Sequence, residues 1–173
     1  VIMPLDDDII EEANDSKKLT AKKREELYKT ITQKALSYSV YSVPANIIDK
    51  INIYNATKLA MLKAVESLKV KPDILLIDAM KIDTEIKQES IIKGDLKSYS
   101  IACASIVAKV SRDKSMDILS EKNKEYDKYK ISKNKGYGTK EHIEAIKKYG
   151  ASDLHILSFE HIKSIKEENS FFI

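Results

Sequence analysis

The first clear pattern of apolar positions along the chain is helical. Leu27, Ile31 and Ala35 recur at four-residue steps, with lysine and glutamate between them. Thr20 precedes them, and threonine is a preferred residue at the N-cap of a helix. The spacing therefore predicts an amphipathic helix that begins after Thr20.

Other stretches show the same helical period. Asn55 is the expected cap of a second helix that turns leucine and valine side chains toward a core. A long helix with small residues such as Ala102 is expected to pack closely against a sheet. Thr139 and Gly150 mark the start and the end of a last helix, as N-cap and C-terminal glycine.

Two kinds of strand are predicted between these helices. Leu36, Tyr38 and Val40 alternate with polar residues before Pro44, which is typical of a half-buried strand. The almost purely apolar run 73–78 is expected to be a strand covered on both faces. Another short strand is predicted around 90–93. Alternation of helices and buried strands favours an α/β architecture.

Composition adds that the chain is an ordinary globular protein. It has 173 residues, 43% of them hydrophobic, with 4 glycines and 3 prolines, and no repeat or linker divides it. We therefore expect one domain over 1–173, with a helical C-terminal part from about residue 139. The single cysteine and the lack of a long apolar run favour a cytoplasmic protein without a membrane span.

Several classes of chemistry have no support in the sequence. The four glycines match neither a dinucleotide-binding nor a P-loop motif, and there is no nucleophile elbow. The three histidines, His142, His155 and His161, are separated by loops and are not expected to form a metal cluster. The net charge of +3 says little about partners by itself.

Two aspartates are stronger candidates. Asp78 and Asp95 each follow a predicted strand, and carboxylates at neighbouring strand ends can share a hard cation such as Mg²⁺. The competing interpretation is that each aspartate only caps a turn, which is the commoner role of a lone aspartate after a strand.

Lysines cluster in two places where phosphates could bind. Lys17 and Lys18 precede the first helix, and four more lysines approach Tyr137, which lies between two glycines just before a helix start. An aromatic ring in that position can stack on a sugar or base. A solvated basic loop is the alternative.

Six motifs in this order resemble those of bacterial ribonuclease HII, a type 2 ribonuclease H. Its paralogue ribonuclease HIII is similar only around the first motif. The motifs are Asn14–Leu19, Leu76–Ala79, Lys93–Asp95, Ala104–Asp113, Asn134–His142 and His155–Phe159.

The resemblance implies an RNase H-like fold, a mixed sheet flanked by helices. It also implies an endonuclease that hydrolyses the RNA strand of RNA–DNA hybrids and cuts duplex DNA 5′ of an embedded ribonucleotide. The products would carry a 3′-hydroxyl and a 5′-phosphate, as ribonucleotide excision repair requires. Family members use two Mg²⁺ or Mn²⁺ ions, and we expect a monomer.

Individual residues receive roles by the same matching. Asp78 and Asp95 correspond to the third and fourth metal-binding carboxylates of the family. Substrate contacts are implied for Lys17, Lys18, Tyr137 and Thr139. Asp113 would orient groups near the site rather than bind metal continuously.

The chain departs from the family at its beginning. The family's opening Asp-Glu-x-Gly-Arg-Gly segment is absent, and Val1–Pro4 would be the end of the second strand. The sequence thus predicts further residues upstream, and the 173-residue chain alone is expected to be inactive. The alternatives are a catalytically dead fragment and a nucleic-acid-binding module without catalysis. His155 is followed by Ile156, where the family usually has arginine, so a phosphate contact there is not expected.

Overall fold

The computed structural model describes residues 1–5, 9–13 and 19–170. The helices are α1 (Ala21–Lys34), α2 (Ala45–Glu66), α3 (Gly94–Lys97), α4 (Tyr99–Lys122), α5 (Ile131–Asn134), α6 (Lys140–Tyr149) and α7 (Glu160–Ser170). The strands are β1 (Ile74–Asp78) and β2 (Lys87–Ile91), and short 3₁₀ helices span Glu11–Ala13 and Lys124–Tyr129. No helix within these described ranges is long and apolar enough to span a bilayer.

The described residues form two compact units. The described residues of the first unit fall within Val1–Ser42 and Lys58–Ser111, and those of the second fall within Val43–Thr57 and Arg112–Ile173. The organisation of residues 1–173 as one domain stays a prediction from the sequence.

The sheet of the first unit is a parallel pair. β1 and β2 run side by side with Ile74 opposite Lys87 and Asp78 opposite Ile91. Leu75 and Ile77 are buried, whereas Ile74 and Leu76 are 39% and 37% exposed. The prediction of a strand covered on both faces is therefore wrong for the described residues. Side chains of a strand alternate between its faces, and only one face of β1 packs against a core here.

The strand predicted around Leu36, Tyr38 and Val40 is also wrong. Only an isolated antiparallel bridge joins Ile2 to Ser37, and the apolar residues of this segment are exposed. Ser37 points inward instead, because its hydroxyl oxygen accepts a hydrogen bond from the Lys69 amide at 3.1 Å. A buried hydroxyl that gains a backbone donor reverses the pattern that hydrophobicity alone predicts.

The predicted helix ends hold where a side chain caps the backbone. Thr20 is the N-cap of α1, and its hydroxyl oxygen accepts from the Lys23 amide at 3.2 Å. The prediction of Asn55 as a cap is wrong by three residues. Asn52 has a left-handed φ of 64° that breaks α2, and its side chain accepts from the Asn55 amide at 3.0 Å.

Each unit has its own apolar core. In the first unit, Leu27 and Ile31 of α1 pack with Cys103 and Ile106 of α4. Ala102 of α4 is also fully buried, while the predicted packing of this helix against a sheet stays a prediction. In the second unit, Tyr129 is 2% exposed and packs with Ile131, Ile146 and other apolar side chains. This second core supports the start of α6.

Candidate active site

Asp78 is the last residue of β1, and its carboxylate accepts a specific hydrogen bond. Its Oδ1 receives the backbone N–H of Gly94 at 2.9 Å. The chain leaves the strand at Ala79, whose φ of 54° is left-handed, and Ala79 donates its own N–H to Ile91 at 3.1 Å. The strand end and the turn after β2 are therefore tied together at this edge of the sheet.

Asp95 lies in the first turn of α3, directly after the glycine that binds Asp78. It is buried, with only 5% of its surface exposed. The hydrogen bond from Gly94 to Asp78 thus brings the start of α3, which carries Asp95, to the end of β1, which carries Asp78. A buried ionised carboxylate is costly unless donors or a cation compensate its charge.

Gly94 is required by the close packing at this point. A Cβ placed there would lie 2.6 Å from Cδ1 of Ile101 and 3.3 Å from Cα of Asp78. A Cβ there would displace the Ile101 side chain and crowd the backbone of Asp78. The glycine of the Lys-Gly-Asp motif is therefore explained by contact distance.

The two aspartates suit a hard divalent cation by the chemistry of their donors. Mg²⁺ prefers oxygen ligands, and one or two protein carboxylates often suffice beside water and phosphate. Asp78 uses Oδ1 for the Gly94 amide, and its carboxylate has further lone pairs that can bind a cation. Across the described part of the chain, no group of three or more histidine, cysteine, aspartate or glutamate side chains could hold a metal.

In the second unit, hydrogen bonds hold both the backbone N–H and the backbone carbonyl of Tyr137. The Tyr137 N–H donates to the carbonyl of Asn134 at 2.9 Å, and the Tyr137 carbonyl accepts from the Thr139 amide at 2.8 Å. Gly136 takes a left-handed φ of 75° that a side chain would strain. The loop is thus fixed before α6 begins.

The Tyr137 ring itself points outward. Tyr137 is 49% exposed, and the guanidinium carbon of Arg112 lies 4.6 Å from the ring centroid. A cation at this distance is attracted to the face of the ring. Sequence analysis missed Arg112 as a partner, because nothing in the spacing of the two residues indicates the contact.

Thr139 caps α6 as predicted. Its hydroxyl oxygen accepts from the His142 amide at 3.3 Å, and Gly150 ends the helix with a φ of 77°. The hydroxyl also carries one O–H donor, which can serve a phosphate oxygen. The phosphate contact implied for Thr139 stays a prediction.

Replacing Thr139 with alanine is expected to lower the free energy of unfolding by about 1 kcal/mol, because α6 loses its cap. Urea denaturation followed by circular dichroism measures this. Thr139→Ser, which keeps the hydroxyl, should retain most of the stability, and Thr20→Ala, the matched cap of α1, gives the cost of a cap away from this loop. An unchanged stability for Thr139→Ala would contradict the capping role.

The lysines before Tyr137 are engaged with acidic side chains. Nζ of Lys133 lies 3.0 Å and Nζ of Lys130 3.5 Å from Glu141, and Lys135 pairs with Asp117. The ammonium group of Lys128 lies 5.3 Å from the Tyr129 ring centroid. These pairings favour the interpretation of a solvated, ion-paired surface over a dedicated phosphate grip.

The other predicted site residues are placed as follows. Asp113 is half-buried in α4, with Oδ1 4.0 Å from Nη1 of Arg112. Lys17 and Lys18 lie outside the described residues.

The histidines give a result that the sequence did not predict. His142 and His155 are buried, and their Nε2 atoms lie 3.1 Å apart. The sequence predicted only that the histidines form no metal cluster, and it did not predict this contact. The contact depends on Ser152, whose amide holds the His155 ring, 2.9 Å from Nδ1. Burial lowers the pKa of His155.

Comparisons with known proteins point to one family. The family model described as Ribonuclease HII matches residues 6–162. A ribonuclease HII of Caldicellulosiruptor bescii is 56% identical over 87% of the chain and 72% of its own length. A ribonuclease HII of Ligilactobacillus salivarius is 51% identical over 95% of the chain. The chain spans 63% of the length of that relative.

A solved structure shows the same fold. The crystal structure of the ribonuclease H2 from Pyrococcus horikoshii OT3 superimposes with a TM-score of 0.71. The match covers 90% of this chain and 81% of that one, at 24% sequence identity. The predicted RNase H-like α/β fold is thereby confirmed.

Proposed function

Because the chain belongs to the ribonuclease HII family, we propose that the protein hydrolyses the RNA strand of RNA–DNA hybrids and cuts duplex DNA 5′ of an embedded ribonucleotide. The products would carry a 3′-hydroxyl and a 5′-phosphate. The observation that supports this best is the hydrogen bond from Gly94 to Asp78, since it sets two carboxylates at one sheet edge. A role in ribonucleotide excision repair and action as a cytoplasmic monomer are parts of the same proposal.

Asp78 and Asp95 would hold Mg²⁺ or Mn²⁺. When bound, two such ions supply an activated water and stabilisation of the leaving 3′-oxygen. The protein's own part is positioning. The Gly94 amide fixes the Asp78 carboxylate in one orientation, and burial of Asp95 limits competition from water for its oxygens. Asp113 would orient neighbouring groups.

Contacts with the nucleic acid would come from several parts of the chain. The exposed Tyr137 ring would stack near the sugar at the junction between ribonucleotide and deoxyribonucleotide. The Thr139 hydroxyl would donate to a phosphate, and Lys17 and Lys18 would add positive charge. Since the 2′-hydroxyl alone distinguishes RNA from DNA at the cut, the protein must also contact that group.

A nucleic-acid-binding module without catalysis is the second candidate. The outward Tyr137 ring on a fixed backbone favours it, because such a ring can bind a strand without any chemistry. Metal dependence separates the two candidates. A pure binding module would ignore both divalent ions and substitution of Asp78.

The test is a cleavage assay with the purified protein, after its intact mass has been compared with 19.6 kDa. Substrates are a DNA duplex with one ribonucleotide, an RNA–DNA hybrid and an all-DNA duplex, each with Mg²⁺, Mn²⁺ or EDTA. We expect metal-dependent cutting 5′ of the ribonucleotide and in the hybrid, and none in the all-DNA duplex. Cutting by a protein of 19.6 kDa would contradict the expected inactivity of the 173 residues alone. Binding without cutting by a heavier protein would favour the binding module.

A further inference from the structure

The buried pair His142 and His155 lies behind the Tyr137 loop and uses all four of its ring nitrogens. Nδ1 of His142 lies 2.9 Å from the Tyr137 carbonyl oxygen, and the two Nε2 atoms lie 3.1 Å apart. At the far end, Nδ1 of His155 accepts the Ser152 N–H at 2.9 Å, with the Ser152 hydroxyl oxygen at 2.8 Å.

These partners fix the position of every imidazole proton. A carbonyl oxygen only accepts, so His142 must carry its proton on Nδ1, and its Nε2 is then an acceptor. Because Nδ1 of His155 accepts an amide proton, His155 must carry its proton on Nε2. The single proton between the two Nε2 atoms is therefore donated by His155. The hydrogen-bond chain runs in one direction, from Ser152 to the Tyr137 carbonyl.

A metal site does not explain this pair. A metal bound at both Nε2 atoms would need further ligands, and the described residues hold no group of three or more histidine, cysteine or acidic side chains around it. The ring of Tyr129 packs against both histidines instead, with centroids 4.8 Å from His155 and 6.4 Å from His142. The pair is a hydrogen-bonded element of the fold.

We propose that His155 is a positioning residue that acts through His142 to hold the Tyr137 carbonyl, and thereby sets the angle at which the Tyr137 ring meets the nucleic acid. The proposal rests on the proposed function, in which Tyr137 contacts the substrate. The hydrogen-bond chain from Ser152 adds to the backbone hydrogen bonds of a loop that has left-handed backbone at Gly136 and a half-exposed ring at Tyr137. Two hydrogen bonds on one carbonyl, from the Thr139 amide and from His142, supply the constraint.

Protonation would break this chain of hydrogen bonds. If His155 gained a second proton, its Nδ1 would carry hydrogen and face the Ser152 N–H, which it now accepts. Burial lowers the pKa of His155 most, and the neighbouring His142 lowers it further. The Ser152 backbone and the Asp153 carboxylate act in the opposite direction but do not outweigh them. Because burial lowers the pKa of His155 below 6.5, the folded chain binds this proton less readily than the unfolded chain. The stability contributed by neutral His155 is therefore present above about pH 6.5 and is lost as the pH falls below it.

Two measurements test the proposal. Long-range ¹H–¹⁵N correlation spectra of the imidazoles report the protons directly, and we expect protonated Nδ1 in His142 and protonated Nε2 in His155 at pH 8. Binding of the ribonucleotide-containing duplex in EDTA reports the consequence. Tyr137→Ala should weaken binding about tenfold through lost stacking. His155→Phe, which keeps a ring against Tyr129 but has no donor, should weaken it about fivefold.

A double-mutant cycle separates positioning from general support of the fold. If His155 acts through Tyr137, His155→Phe should have no further effect on binding in the Tyr137→Ala protein. His155→Gln, whose amide can donate to His142, should restore most of the affinity, and Ser152→Ala, which keeps the backbone amide donor, should stay within about twofold of the parent. If His155→Phe fails to fold, the affinity of His155→Gln relative to the parent and the imidazole spectra of the parent still test the proposal.

Several results would overturn the proposal. These are the opposite tautomers, equal effects of His155→Phe with and without the Tyr137 ring, or a Tyr137→Ala protein that binds normally. None of them bears on the metal-dependent cleavage assay above. Failure of the positioning role and failure of the proposed function can therefore be told apart.

Discussion

Replacing Asp78 with asparagine is expected to reduce cleavage at least about 10³-fold while duplex affinity stays nearly unchanged. The amide keeps the size of the side chain and an oxygen that can accept from the Gly94 N–H. It lacks the negative charge that a divalent cation needs, and loss of several kcal/mol of transition-state stabilisation corresponds to this factor. Rates are measured in single-turnover assays with the ribonucleotide-containing duplex, and affinity in EDTA.

Asp73→Asn is the matched control, since Asp73 is exposed and lies before the start of the same strand. It should cleave at the parental rate. Mn²⁺ titration with the duplex present, followed by electron paramagnetic resonance, gives a readout that does not depend on turnover, and Asp78→Asn should bind fewer ions. Parental cleavage by Asp78→Asn would remove this residue from the metal site.

Replacing Gly94 with alanine is expected to have the second largest effect. The added Cβ would lie 2.6 Å from Cδ1 of Ile101 and 3.3 Å from Cα of Asp78, so the Ile101 side chain must move and the backbone contact between α3 and β1 must widen by a few tenths of an ångström. Overpacking of this kind costs about 1–3 kcal/mol of unfolding free energy, which exceeds the gain in helix propensity of about 1 kcal/mol. A displacement of Asp95 near 1 Å would reduce cleavage about 100-fold.

Ile101→Val provides the matched control for this prediction. Valine lacks the Cδ1 that collides most closely, so Gly94→Ala with Ile101→Val should recover part of the stability and of the rate. The remaining contacts, with Cγ2 of residue 101 and Cα of Asp78, are both 3.3 Å and keep recovery incomplete. If Gly94→Ala alone matched the parent in thermal denaturation and in cleavage, the close approach at this edge would be refuted.

The features that could be predicted from the sequence are those that depend on residues only a few positions apart. Thr20 and Thr139 cap their helices as expected, because each hydroxyl bonds an amide three residues later. Asn52 and Asn55 show the limit of this reasoning. Both are asparagines near one helix start, and the Asn52 side chain is the one that accepts the capping hydrogen bond, from the Asn55 amide.

The faces of the strands could not be predicted in the same way. Hydrophobic alternation placed Leu36 inside and Ser37 outside, and the structure reverses them because the Lys69 amide, far along the chain, offers Ser37 a partner. Ile74 and Leu76 were expected to be covered, and they are partly exposed in the described structure. Which face is buried depends on distant segments, which a local pattern does not contain.

The candidate site, too, could be predicted only in part. Strand ends located Asp78 and Asp95, and the motifs predicted the ribonuclease HII family, which the comparisons confirm. The metal-binding and substrate-binding roles of the individual residues stay predictions. His142 and His155 were missed because 13 residues separate them, and their contact depends on the turn at Ser152.

The one-way hydrogen-bond chain through His142 and His155 has a consequence for how the gene can change. Each ring supplies what the other lacks, so replacing either one by an apolar residue leaves a buried nitrogen unpaired. Two successive single substitutions would have to pass through a weakened intermediate, whereas a simultaneous change to two apolar residues avoids it. The two histidines are therefore expected to be kept together or replaced together among related sequences.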